Sequence, residues 1–176
     1  MPELHIGLDY KKGALIAGVG VDFTSLTPRI QATVGNNIYK VDERISTFSY
    51  EIHAKYTTPI WYFAAKSVLG SNLTQTSMLG GYGVKSIDPI TGEQKYTPNR
   101  NSSSWINVVY GNKWKAGVFM GYMKNLSTND AVSKMYGTGV DVDQLFTGSA
   151  EITYNIPHWK IGIEYNYTSA WYGDLN

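Results

Sequence analysis

The chain has no cysteine among its 176 residues, so neither a disulfide framework nor a thiolate metal site is open to it. It is also poor in charge. Asp, Glu, Lys and Arg make up 16%, against roughly 25% in an average soluble protein. A net charge of +1 gives no case for nucleic acid or for an acidic partner. No apolar run approaches the roughly 20 residues of a membrane helix; the longest, Ala14 to Val21, contains glycine and reads as a strand. No secretory signal opens the sequence, since Met1-Pro2-Glu3 leads straight into a strand pattern. An exported form would therefore be translated with residues ahead of these. No His-Glu-x-x-His spacing occurs, and Gly80-Gly81-Tyr82-Gly83 and Gly18-Val19-Gly20 do not open helices, which excludes a phosphate-binding reading.

What is abundant is aromatic and small polar. Aromatics reach 14%, with 14 Tyr and 5 Trp, while mean hydropathy is slightly polar at −0.25. Four junctions repeat one design: Tyr10-Lys11-Lys12-Gly13, Tyr56-Thr57-Thr58-Pro59-Ile60-Trp61, Tyr110-Gly111-Asn112-Lys113-Trp114 and Tyr154-Asn155-Ile156-Pro157-His158-Trp159. Each joins two segments that alternate at period two. A soluble hairpin has no reason to place amphipathic aromatics at the same end of every strand pair. A membrane barrel does, because Tyr and Trp settle at the headgroup level.

Eight such segments are predicted. Their apolar faces carry, in turn, Leu4 to Tyr10; Leu15 to Phe23; Phe48, Tyr50, Ile52, Ala54 and Tyr56; Trp61, Phe63, Ala65 and Leu69; Ile106, Val108 and Tyr110; Trp114 to Tyr122; Phe146 to Tyr154; and Trp159 to Tyr167. Three faces begin and end with an aromatic eight residues apart: Phe48 and Tyr56, Trp114 and Tyr122, Trp159 and Tyr167. At ~3.3 Å per residue and a tilt near 40°, that span rises roughly 20 Å, close to the apolar band of an outer-membrane barrel. The expected interface aromatics are thus Tyr10, Phe48, Tyr56, Trp61, Tyr110, Trp114, Tyr122, Tyr154, Trp159 and Tyr167.

The opposite faces hold charge, amides, hydroxyls and glycine. Asp9, Asp22, Glu51, His53, Lys55, Lys66, Asn107, Lys115, Glu151, Lys160, Glu164 and Asn166 are expected to line a lumen. There they either set ion preference by their field or pair with one another inside a narrow barrel. Strand number decides, because eight strands leave an interior just filled by side chains and ~16 an aqueous pore.

Connections alternate in length. The four aromatic junctions are tight, whereas 25–44, 73–103 and 127–143 are long and polar. Outer-membrane barrels have short periplasmic turns and long external loops, so the junctions are assigned to the periplasm. By that parity Met1 and Asn176 both fall outside, and the chain is expected to be a segment of a larger barrel, with its first and last strands as free edges. Within the long connections, Asp88-Pro89-Ile90-Thr91-Gly92-Glu93 predicts a tight turn, and Asp130, Asp141 and Asp143 offer oxygens of the kind calcium takes, without the spacing of a calcium loop.

At this point the residues resemble the porin-type outer-membrane proteins of Gram-negative bacteria, with the texture of the Bacteroidota. The likeness lies in runs such as Ile152 to Tyr167 and the stop Trp171-Tyr172-Gly173-Asp174. It implies an all-β antiparallel meander barrel of the outer membrane, passing small hydrophilic solutes with no cofactor, no metal and no catalysis, and compatible with a homo-oligomer. Two other functions compete: a plugged barrel with a structural or adhesive role through its loops, and a soluble lipocalin-like binding barrel, which would show charge outside and no aromatic rims. His53 beside Glu51 and Lys55 lacks a nucleophile at fixed spacing, which argues against an enzyme.

Overall fold

The computed structural model describes residues 3–76 and 79–173, with backbone alone at 75 and 76. The expectations placed on the ends Met1 and Asn176 therefore lie outside the described residues. The strands are β1 (Glu3–Lys12), β2 (Leu15–Leu26), β3 (Gln31–Val34), β4 (Asn37–Lys40), β5 (Ile45–Thr57), β6 (Trp61–Ser71), β7 (Gly81–Ile87), β8 (Gln94–Gly111), β9 (Trp114–Asn125), β10 (Lys134–Tyr136), β11 (Val142–Ile156) and β12 (Trp159–Tyr172). Eight of them form one antiparallel meander in the order β1-β2-β5-β6-β8-β9-β11-β12. These are the eight segments read from the alternation.

The count of eight needs correction, because the long connections contain strands too. β3 and β4 make a hairpin of their own, and β7 pairs with the first half of β8 and with β10. The fifth predicted segment, started at Ser104, begins ten residues earlier at Gln94. Polar residues and Pro98 hide that extension, since proline cannot donate to a ladder and no apolar alternation marks the stretch.

Pairing fixes the faces, because directly opposed residues share one. Leu8, Val19 and Ile52 align across β1, β2 and β5, and Val108, Val118, Ala150 and Tyr165 across β8 to β12. This apolar face is the exposed one: Ile52 is 60% and Ile163 82% accessible, and Leu8, Val19, Phe63, Val118 and Ile152 are exposed as well. Val108, expected to be equally open, is only half-buried. Across the wall, Thr47, Ser49 and Thr153 are buried, and Glu51 and Glu151 half-buried, although Lys55 and Glu164 remain exposed. The polar face is the crowded one, the reverse of a soluble sandwich.

The register also carries a tilt. Following opposed neighbours from Tyr10 leads through Ala17, Ala54, Ala65, Ile106, Met120 and Gly148 to Tyr167. The turn-side aromatic of β12 is Trp159, eight residues nearer the turn than Tyr167. The aromatic row thus slips about 26 Å along the strands while crossing about 34 Å of sheet, a tilt of about 38°, inside the 35–45° of barrels. The sheet is nonetheless open: among the described residues β1 pairs only with β2, and β12 only with β11.

The four tight turns form where expected. Thr58 closes its turn by accepting the Trp61 amide on Oγ1 at 2.9 Å. His158 sits at φ 69° after Pro157, a conformation that costs an L-residue roughly 1–2 kcal/mol and glycine little. His158→Gly is expected to stabilise the fold by about 0.5–1 kcal/mol in denaturant titration, net of the extra chain entropy of glycine. A loss of stability would contradict the strain.

Candidate functional site: the polar face and its cap

A charge network crosses the first four strands of the meander. His5 on β1 meets Asp22 on β2, with Nδ1 to Oδ1 2.6 Å. His53 on β5 lies 3.1 Å from Asp9 and 3.5 Å from Glu51, and Lys66 on β6 pairs with Glu51. Glycine makes room for this. A Cβ at Gly18 would collide with the Asp9 carboxylate and stand 2.7 Å from the His53 ring, and one at Gly20 would stand 2.8 Å from Glu51 Cγ. Of the expected lumen residues, Asp9, Asp22, Glu51, His53 and Lys66 are thus brought together. His5 belongs with them and was missed, although its parity with Asp9 gave the signal. The Lys55 ammonium stands 5.5 Å over the Tyr62 ring instead.

The last strands hold a second polar area. Asn107, Glu151, Glu164 and Asn166 line one groove with Phe119, Thr147 and Ser149. Glu151 and Glu164 are directly opposed across β11 and β12, and like charges so placed repel. Lys160 reaches Glu151 at 4.0 Å. Lys115 faces Thr153 and Gly111 in the ladders and makes no ion pair among the described residues. Two aromatics that the reading of this face did not stress, Trp105 and Phe119, lie 6.0 Å apart between the two areas.

On the other face the turn-side aromatics touch in pairs: Trp61 with Tyr110 at 4.5 Å, and Trp114 with Tyr154 at 4.8 Å. Tyr56 stands 6.5 Å from Phe63, Phe48 5.1 Å from Phe23, and Tyr167 6.4 Å from Phe146. The Tyr122 hydroxyl donates to Gln144 at 2.8 Å. Tyr10 and Trp159 are exposed on the edge strands.

The long connections gather at the far end from the tight turns and close over the polar face. Leu73, in a 3-10 turn (Leu73–Thr76), packs where a Cβ on Gly70 would stand, beside Ser49. Leu79 and Thr138 lie in one cavity wall with Lys66, Val68, Ser103 and Trp105. Most of the small apolar core sits in this cap: Ala32, Val41, Ile45, Leu73, Val84 and Val142 are all buried there, and Ala64 on β6 is buried outside it. The predicted turn at Asp88 is the tip of the β7–β8 hairpin, and Arg29 docks it by donating to the Gly92 carbonyl at 2.7 Å.

Two cap carboxyls are held below the ordinary aspartate value of 3.8. For Asp88 the cause is the backbone N–H of Ile90, then that of Thr91; for Asp143 it is the Lys124 ammonium, then Gln144. A lowered folded-state value means that each contact stabilises above the unfolded value and is lost as pH falls through the folded one. The Ile90 and Thr91 amide shifts, followed by NMR, should therefore titrate below pH 3.8. A midpoint at or above it would contradict the turn.

Asp130, Asp141 and Asp143 line a single cavity in the cap. They do not converge as metal ligands: among the described residues no three His, Asp or Glu side chains are grouped to hold an ion. Comparison with known proteins adds nothing further, since no family profile, curated protein or solved structure matches the chain.

Proposed function

We propose that this sheet is part of the wall of an outer-membrane β-barrel, that its polar face lines a channel, and that the channel passes small hydrophilic solutes by diffusion. The carrying observation is the inverted wall: an exposed apolar band, edged by aromatics and tilted by about 38° through its register, backed by a crowded polar face. Hydrocarbon is the solvent in which such a face is at home, and no unpaired strand edge is tolerated there. The free edges of β1 and β12 are then paired by further strands. The partners are membrane lipid and small hydrophilic solutes; identical copies are an available source of the extra strands.

A second reading has its own observation. Leu73 and Leu79 fold over the polar face, as in a plugged barrel that acts through its loops. Liposome swelling in the presence of small uncharged solutes separates the two. The channel reading expects permeation that increases several-fold when Leu73 and Leu79 are both cut to Ala. No permeation in either protein would leave the plugged barrel.

A further inference from the structure

The turn-side aromatic row follows a rule of register that its two free edges complete. Across each tight-turn hairpin the row slips along the strands: Tyr10 is opposed to Ala17, Tyr56 to Phe63, Tyr110 to Ala116 and Tyr154 to Ile161, not to Leu15, Trp61, Trp114 and Trp159. Across the joints between hairpins it does not slip: Leu15 faces Tyr56, Trp61 faces Tyr110 and Trp114 faces Tyr154. In the last two joints the Trp and Tyr ring centroids lie 4.5 and 4.8 Å apart. A Tyr and a Trp of the row are left over, Tyr10 on the edge of β1 and Trp159 on the edge of β12, both exposed.

Continuing the rule across the seam opposes Trp159 to Tyr10 in an antiparallel pair, and every other partner is then fixed. On the outer face Ile161 meets Leu8, Ile163 meets Ile6 and Tyr165 meets Leu4, so the apolar band runs on unbroken. On the polar face Lys160 meets Asp9 and Glu164 meets His5, with Gly162 against Gly7 between them. Opposite charges directly opposed stabilise a strand pair. The Lys160 and Asp9 side chains are 61% and 66% exposed. Glu164, which faces Glu151 across β11, gains a basic neighbour on its other side. A slip that put Tyr10 against Ile161 would leave both Asp9 and Glu164 facing glycine.

We propose that the partner at each edge is a second copy of this chain, with β12 of one copy paired to β1 of the other at two equivalent seams. This rests on the reading of the sheet as a barrel wall and names the source of its missing strands. A head-to-tail contact closes into a ring when its rotation allows, and a two-fold axis along the barrel keeps both copies in one orientation across the membrane. The eight-stranded meander taken twice reaches the ~16 strands that leave an aqueous pore. Closure of β12 on its own β1 would use the same register. However, eight strands leave an interior only just filled by side chains, without room for the segments at Leu73 and Leu79 that fold over the polar face.

The chain has no cysteine, so introduced thiols report alone. In the joints already formed, the Gly111 and Asn155 amides donate to the Ile60 and Lys113 carbonyls. Those bonds flank the Trp–Tyr pairs and make them the closer, non-hydrogen-bonded kind, about 4.5 Å between Cα atoms. Leu8 and Ile161 inherit that spacing at the seam, and it suits a disulfide. The test is oxidation of the full chain, refolded in vesicles, carrying both Leu8→Cys and Ile161→Cys. A covalent dimer on non-reducing electrophoresis is expected, and also when the two single variants are mixed before refolding. Leu8→Cys with Tyr165→Cys, a full turn of the pleat out of register, should stay unlinked. Circular dichroism checks folding, and Ile6→Cys with Ile163→Cys carries the test if the first pair fails to fold. A disulfide within one chain, no disulfide at all, or equal linking in and out of register would each overturn the proposal. Dimers without permeation count against the channel alone, and permeation without dimers against this pairing alone.

Discussion

Arginine at Ile52 should cost the folded protein about 2–4 kcal/mol in a lipid bilayer, the toll for a cation at the midplane of a barrel wall. Ile52 is midway between Phe48 and Tyr56 on β5, 60% exposed and flanked by Val19 on β2. In water the same substitution at so open a site falls within about ±0.5 kcal/mol. The contrast is what makes the variant informative. Val118→Arg, midway between Trp114 and Tyr122, should behave alike, whereas Tyr56→Arg at the rim should cost about 0–1 kcal/mol. Urea titration of refolding in vesicles measures all three, and equal small losses would remove hydrocarbon from the exposed face.

On the opposite face, Gly18→Val is expected to cost about 3 kcal/mol, the upper part of the range for overpacking. The new side chain would occupy space now held by the Asp9 carboxylate and the His53 ring, and neither can retreat without breaking the 3.1 Å contact between them. Gly18→Ala should lose less, and Gly13→Ala tests a turn glycine at φ 58° that has no neighbour within 4 Å. Denaturant midpoints at constant slope report the difference. If Gly18→Val is tolerated within about 0.5 kcal/mol, the charge network is not ordered as described.

The meander was legible because the long strands alternate an apolar face with a polar one, as Thr47 to Tyr56 does on β5. The tight turns were legible from Gly13, Pro59 and Pro157 beside aromatics. The cap was not. Residues 94–99 of β8 pair with β7, and Asn101 lies between β6 and β9; Thr97, Asn99 and Asn101 are buried without being apolar, so periodicity searches for the wrong residues. The β3–β4 hairpin did carry a signal in Gly35-Asn36, a two-residue turn at φ 57° for Gly35, which went unread inside a long polar stretch. The polar-face network followed from parity, but its close contacts did not: the pairing of His53 with Asp9 depends on β2 standing between β1 and β5 and presenting only glycine there.

The claim on which the rest depends is that hydrocarbon wets the apolar face. Nitroxide labels placed singly at residues 116 to 121 of β9, in the reconstituted protein, test it by collision with oxygen and with a water-soluble nickel chelate. The account predicts a strict alternation, with oxygen contact high at Ala116, Val118 and Met120 and chelate contact high at Gly117, Phe119 and Gly121. The same alternation with the two reagents exchanged, or chelate contact high at all six positions, would contradict it.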